Sequence, residues 1–276
     1  MSDNQHGFMD GKSTETAVHS LVDFVETNFE SKQVTACALI DIKSAFDSAW
    51  HPAILAALIR KGCPNYLVRL VSIFLSNRKV TLSHNGSKVE SDVNLGCPQE
   101  GVLSPFLWVI LIDDLLRLNF PFPFRIIAYA DDLTVMTSHK DALMATKNLQ
   151  SMCDAIAAWC INTKLFINAS KTILLLFSRK NFDKSGHSII IDSTNIYPSE
   201  EAVLLGFTID SRLNWMAHVT AKCLAAKRTF FAARKNLRAI WGINRTTLLF
   251  PYTSTVEPIL LYGCSVWASF PKLRRA

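Results

Sequence analysis

Two adjacent aspartates, Asp131 and Asp132, stand between two apolar, β-branched runs in "RIIAYADDLTVMT", residues 125–137. Carboxylates cost free energy wherever water is scarce, so a doublet between core-like flanks calls for a reason. A third carboxylate, Asp41, closes another apolar run in "CALIDIKSAFD". If the two segments are neighbours in one sheet, three carboxylates meet at a single edge and repel one another unless a cation lies among them. Oxygen donors without His or Cys suit magnesium, with manganese as a substitute. Two such ions roughly 3.5–4 Å apart clamp the attacking and leaving oxygens of an in-line phosphoryl displacement. Taken alone, an adjacent Asp pair is most often a solvated turn; the apolar flanks and the second strand-ending Asp favour the metal.

The elements that must position these groups are legible from periodicity and punctuation. Helix signals run from Ser13 to about Glu30, "VTACALIDI" (34–42) is a buried-strand run, and helices at about 52–61 and 65–77 are separated by "KGCP". Residues 78–93 alternate around Asn85-Gly86, the strongest hairpin signal in the chain. Residues 102–118 read as one buried helix, 124–138 as the acidic hairpin and 140–161 as a helix. Short strands are expected near 173–178, 188–191 and 203–209, and helix over 215–263. Strands and helices mix without strict βα alternation, which favours an α+β fold.

Composition narrows the class. The chain has 276 residues, 49% hydrophobic and 19% charged, which makes it globular and excludes a disordered chain. The charge is uneven: residues 1–210 carry 18 Lys/Arg against 22 Asp/Glu, whereas 211–276 carry 11 against Glu257 alone. A weakly acidic body with a basic tail points to a polyanion partner for the tail. Seven cysteines without a CxxC pair describe reduced thiols rather than a disulfide frame or zinc site, and Cys153 and Cys160 would share a helix face. No stretch reads as a signal peptide or membrane span, so an intracellular, nuclear location and no membrane partner are expected.

The motifs together resemble those of reverse transcriptases. "YADD" resembles their active-site hairpin, "DIKSAFD" the strand with the other metal-binding aspartate, and "GCPQEGVLSP" the proline-glutamine-glycine segment at the nucleotide pocket. "LFINASKT" looks like the segment bearing their lysine and "LLGFTID" like the primer grip. With "QHGF" near the start and "LYGCSVW" near the end, order and spacing match the reverse transcriptase of a non-LTR, LINE-type retrotransposon, over nearly the whole chain. The fold this implies is a right-hand polymerase: partial fingers at 1–35, a palm at 36–210 with an interleaved fingers segment at about 50–95, and a helical thumb at 211–276.

The resemblance also implies roles. Asp41 and Asp131 would ligate two Mg²⁺ ions (Mn²⁺ in substitution), with the Ile42 carbonyl adding an oxygen and Asp132 supporting near the primer end. Lys171 would donate a proton to the leaving pyrophosphate or steady its charge. Phe46 would close against the sugar C2′ and select deoxynucleotides, or serve as a core residue at the strand-to-helix turn, with Asp47 then an N-cap. Gln99 and Gly101 would lie against the incoming nucleotide and Tyr129 beneath the primer; Asp113 and Asp114 read as solvated or capping. Where the family has glycine after the Gln, this chain has Glu100, a carboxylate beside a triphosphate. RNA template, DNA primer and deoxynucleoside triphosphates are the implied partners.

In the basic tail, a wheel at 100° per residue puts Trp215, Val219, Cys223, Phe230, Leu237, Ile240 and Trp241 on one face. Lys227, Arg228, Arg234, Lys235 and Arg238 fall on another with Phe231 among them, and Lys222 breaks the pattern and must snorkel. A cationic face with an aromatic suits a template–primer duplex; a solvated, membrane-surface or partner helix is the alternative. The family has fingers strands before "QHGF" and usually an endonuclease, so an N-terminally truncated chain is expected, with the missing fingers or endonuclease parts as further partners. Two rivals stand beside polymerisation: a catalytically inactive nucleic-acid-binding remnant, favoured by Glu100, and a non-catalytic partner-binding fragment.

Overall fold

The computed structural model describes residues 1–98, 101–237 (side chains through 233) and 249–268. The chain divides into two compact units, Met1–Pro198 and Ser199–Ala276, a division upstream of the charge shift near Asp210.

The first unit is α+β, as expected. Helix α1 (Thr14–Glu30) starts at a capping box in which Ser13 and Thr16 satisfy each other's backbone N–H. Strand β1 (Val34–Asp41) is followed by three helices: α2 (Ala45–Ser48), α3 (His51–Arg60) and α4 (Asn65–Leu75). The ribbon β2 (Arg78–His84) and β3 (Ser87–Val93) turns at Asn85-Gly86, with φ of 48° and 81°. Left-handed dihedrals at both central residues are what an Asn-Gly hairpin turn requires. The helix expected over 102–118 is instead α5 (Ser104–Ile112) followed by a separate 3₁₀ turn at Leu115–Arg117.

Then come β4 (Phe124–Tyr129), β5 (Asp132–His139), α6 (Ala142–Thr163), β6 (Ile173–Phe177), β7 (Ile189–Ile191) and β8 (Thr194–Ile196). In the central sheet β4, β5, β1 and β6 are successive neighbours, all antiparallel, so β1 is paired on both sides. Seven of the eight β1 residues are buried, so both faces of the strand are covered. That explains why "VTACALIDI" reads as a continuous apolar run rather than an alternating one. Ala36, Ala38 and Ile40 join a core with α3, α5 and α6, while α1 packs on β4 and β1. The exception to burial in β1 is its last residue, Asp41, where the strand leaves the core. Cys153 and Cys160 are both buried and free, and burial pushes both thiols up to about 12, so neither is a nucleophile at neutral pH.

In the second unit, the strand expected near 203–209 is a hairpin. β10 (Glu201–Leu204) follows the two-residue β9 (Pro198–Ser199) and pairs with β11 (Phe207–Asp210). Leu205 and Gly206 turn it, both with positive φ. Helix α7 (Met216–Leu237) follows. Trp215 is buried as the wheel expects, but the rest of the packed side differs: His218 and Ala226 are buried, whereas Cys223 and Phe230 are exposed. The reason is the aromatic cluster beneath it, since His218 stacks on Phe207 (5.3 Å, 16°) and its Nδ1 accepts the Thr208 N–H at 3.2 Å. A wheel that scores His and Lys as polar misses this face. Lys222, half-buried, lies over the Tyr262 ring, with Nζ 4.2 Å from its centroid. Among the described residues, no helix is long and apolar enough to cross a membrane.

Candidate active site

The sheet brings the predicted carboxylates together. β1 and β5 pair so that Asp41 is directly opposite Asp132, and Tyr129 at the end of β4 faces Asp132 from the other side. Asp131 occupies the turn between β4 and β5. Cross-strand partners share a face of the sheet, so Asp41 and Asp132 project to the same side. Their electrostatics agree: the Asp132 pKa is held above the ordinary carboxylate value, first by desolvation, then by the charges of Asp131 and Asp41. Like charges gathered at an edge this way are relieved by a cation.

A segment after α6 fastens Asp41. The backbone bonds Lys43 N–H to Phe166 O (2.8 Å) and Asn168 N–H to Asp41 O (2.7 Å) make a bridge between Ile42 and Ile167. Neither bond uses the Ile42 carbonyl. The Asn168 side-chain amide donates to Asp41 Oδ2 at 2.9 Å, and Ser170 Oγ donates to Asn168 Oδ1 at 2.8 Å, which fixes the amide. Lys171 Nζ is 3.8 Å from the same Asp41 oxygen. Lys171 is therefore at the carboxylate edge, and Asn168 is a neighbour that sequence reasoning passed over although it lies in "LFINASKT".

The donor set fits hard divalent cations: three carboxylates and a strand-end carbonyl, all oxygen. Among the described residues, no three acidic, His or Cys side chains already close into a metal cage.

Phe46 is half-buried on α2, its ring 5.5 Å from Trp108 and edge-on to Phe8 at 6.3 Å. Asp47 is inside α2 rather than at its N-cap, which is Ser44. The segment before the predicted nucleotide pocket docks here: Gly96 N–H bonds Ala49 O and Cys97 N–H bonds Phe46 O, each at 2.8 Å. A Cβ on Gly96 would be 2.6 Å from Asp47 O, so glycine allows this approach. Gly101 bonds Pro98 O through its N–H at 3.2 Å and accepts from Ser104 N–H at 3.2 Å. Gln99 and Glu100 lie outside the described residues.

Asp113 occupies the C-cap of α5, as expected, but it is not solvated. It is fully buried and accepts from Lys61, from Arg117 Nε at 2.7 Å and from the Ser2 backbone N–H. Desolvation works to raise its pKa, but these donors win and hold it at about 2. Asp114 pairs with Arg60. Both are framework ion pairs. The apolar helix sequence concealed the pairs with Lys61 and Arg60 because those partners are 52 and 54 residues away in the chain.

On α7, Lys227, Arg228 and Phe231 are exposed. Arg234 and Lys235 fall within the helix, with side chains outside the described residues, and Arg238 lies outside them altogether. The two motifs flanking this region meet: Tyr262 Oη donates to Leu205 O at 2.7 Å, and its ring is 5.0 Å from Phe207.

Comparison with known proteins fits this geometry. Residues 1–209 match the reverse transcriptase (RNA-dependent DNA polymerase) family. The chain is 28% identical over 279 residues to a probable RNA-directed DNA polymerase from transposon BS of Drosophila melanogaster, covering 97% of this chain and 30% of that protein. It is 31% identical over 276 residues to the RNA-directed DNA polymerase from mobile element jockey of the same species, covering 95% and 29%. The chain thus spans about 30% of the length of these curated relatives. Among solved structures it is similar to apo telomerase from Candida tropicalis truncated from its C-terminal domain (TM-score 0.55, 13% identity, 75% of this chain and 39% of that one). It is also similar to Candida tropicalis telomerase in complex with a fragment of telomeric RNA (TM-score 0.53, 13% identity, 75% and 33%). That likeness shows the right-hand polymerase fold. With a sheet that sets Asp41 beside an acidic hairpin, and a family match over most of its length, the chain belongs to the reverse transcriptase family, of the non-LTR retrotransposon kind.

Proposed function

We propose that the chain is the core of an RNA-directed DNA polymerase that adds deoxynucleotides to a primer 3′-hydroxyl on an RNA template. The observation that carries this is the pairing of Asp41 with Asp132 next to the Asp131 turn. Asp41 and Asp131 hold two divalent ions, with the Ile42 carbonyl as a further oxygen and Asp132 as a supporting carboxylate. Bound magnesium supplies a more acidic primer hydroxyl and neutralises the triphosphate.

The remaining work falls to this chain's own residues. Asn168 keeps Asp41 oriented. Lys171, in reach of the same edge, sets a cation where pyrophosphate departs and donates a proton to it. Phe46, backed by Trp108, stands against the sugar C2′ and excludes a 2′-hydroxyl. Tyr129 lies beneath the primer, and Gln99 and Gly101 line the nucleotide pocket. Lys227, Arg228, Phe231, Arg234, Lys235 and Arg238 hold the template–primer duplex through its phosphates. A nuclear location follows from this role.

The test is primer extension on an RNA template with deoxynucleotides and Mg²⁺ or Mn²⁺, beside an Asp131→Asn control. Extension by wild type alone supports the reading; equal signal in both, or none in either, removes it for this chain. A second reading, a nucleic-acid-binding remnant without catalysis, is favoured by Glu100, whose charge opposes a triphosphate. It predicts salt-sensitive RNA binding with no extension.

A further inference from the structure

The stretch "QHGF", residues 5–8, matches the family without a role attached to it. We infer that Gln5 and Trp108 form a clamp on the backbone of Ala130 that aims Asp131, and that Trp108 couples this turn to Phe46. The inference rests on the proposed metal-binding role of Asp131.

Ala130, directly before Asp131, has φ of 57°. A left-handed backbone is strained for an alanine, so something must hold it there. Both of its backbone groups are held by buried side chains from distant segments. Its N–H donates to Gln5 Oε1 at 3.3 Å, and its carbonyl accepts the Trp108 indole N–H at 2.9 Å. Gln5 and Trp108 are each 0% exposed. Gln5 Oε1 also accepts the Gly7 N–H at 2.8 Å, and two N–H groups aimed at one atom identify it as the amide oxygen.

The clamp is itself anchored. Ala128 N–H bonds Asn4 O at 2.9 Å and His6 N–H bonds Ala128 O at 2.7 Å, which lays the segment alongside β4. His6 Nδ1 is 2.8 Å from Thr16 Oγ1, tying the segment to the first turn of α1. Gly7 is required by contact: a Cβ there would be 2.3 Å from Ala130 N. The opposite side of the clamp reaches the sugar-facing ring, since Trp108 packs on Phe46 and Phe8 meets that ring edge-on. One buried indole thus touches the carbonyl before Asp131 and the ring proposed to choose the sugar. Neither Gln5 nor Trp108 is placed to touch substrate by these contacts, so both are positioning residues.

The test is the Mn²⁺ dissociation constant of the full chain, measured by electron paramagnetic resonance of free Mn²⁺. Wild type is compared with Asp131→Asn, Gln5→Met, Trp108→Phe and Val25→Ala. Gln5→Met keeps length and removes the acceptor; Trp108→Phe keeps an aromatic ring and removes the N–H together with part of the ring volume. Val25 is fully buried in α1 and outside the clamp, so its variant reports the effect of lost stability alone. Losing such outer support costs a metal site about tenfold or more in affinity, and that loss is expected for Gln5→Met and Trp108→Phe but not for Val25→Ala. If Gln5→Met does not fold by circular dichroism, Trp108→Phe decides. Wild-type affinity in the clamp variants, with Asp131→Asn weakened, overturns the clamp and leaves the proposed function intact. Equal weakening in Val25→Ala also overturns it. Unchanged affinity in Asp131→Asn overturns the metal role of Asp131 and the clamp with it.

Discussion

Asp41 and Asp132 are direct cross-strand partners, the last residue of β1 against the first of β5. Neither is forced there by its own segment. The register of two buried strands sets it, because shifting either by one residue would exchange its side chains between two differently packed faces. The sheet's apolar pattern therefore fixes where the acidic edge falls.

Without a divalent ion, that edge is a cost to the fold. The Asp132 pKa is raised in the folded state, so its charged form is disfavoured there and stability falls as pH rises through that value. Asp132→Asn is expected to raise the metal-free Tm at pH 7, with the gain fading below the ordinary carboxylate value of 3.8 and shrinking when Mg²⁺ is added. Thermal melts at two pH values, with and without Mg²⁺, check this.

Asp113 acts in the opposite direction. Its folded pKa of about 2 is below the ordinary 3.8, so its contribution is present above 3.8 and lost as pH falls through 2. Asp113→Ala removes the buried carboxylate on which Lys61 and the exposed Arg117 converge and is expected to cost about 2 kcal/mol. Urea denaturation at pH 7 should show that loss, and the difference from wild type should narrow between pH 4 and pH 2.

Much of this architecture was legible in the sequence. Periodicity located β1, α1, α6 and the acidic hairpin, because each buries a continuous stripe and ends in a recognisable cap or turn. Asp41 and Asp131 were legible as charges that interrupt apolar runs. What escaped was held by long-range contacts: Asn168 against Asp41, Gln5 and Trp108 against Ala130, and Lys61 against Asp113. The face of α7 escaped because His218 and Lys222 pack against aromatic rings that periodicity treats as unrelated.

Those rings yield a third prediction. Gly263 has φ of 66°, and a Cβ there would be 2.0 Å from the Phe207 ring. Gly263→Ala is expected to disrupt the second unit by about 2 kcal/mol or more. Tyr262→Phe removes only the bond to Leu205 O and should cost about 1 kcal/mol. Denaturation monitored by tryptophan fluorescence, since Trp215 and Trp267 both belong to the cluster, reports both.

The exposed cations of α7 make a fourth. Lys227→Ala and Arg228→Ala are each expected to reduce by about 1 the slope of log affinity against log salt for an RNA–DNA duplex, with little dependence on its sequence. Fluorescence anisotropy across a salt series measures it; an unchanged slope would remove these residues from the interface.

The most direct test of the acidic edge is a crystal of the chain soaked in Mn²⁺ and examined by anomalous scattering. The account predicts a peak bonded to the Asp41 and Asp131 carboxylates at about 2.1–2.2 Å, near the distance of a hard six-coordinate ion. A chain that binds Mn²⁺ elsewhere while these carboxylates keep only Asn168 and Lys171 for company would contradict it.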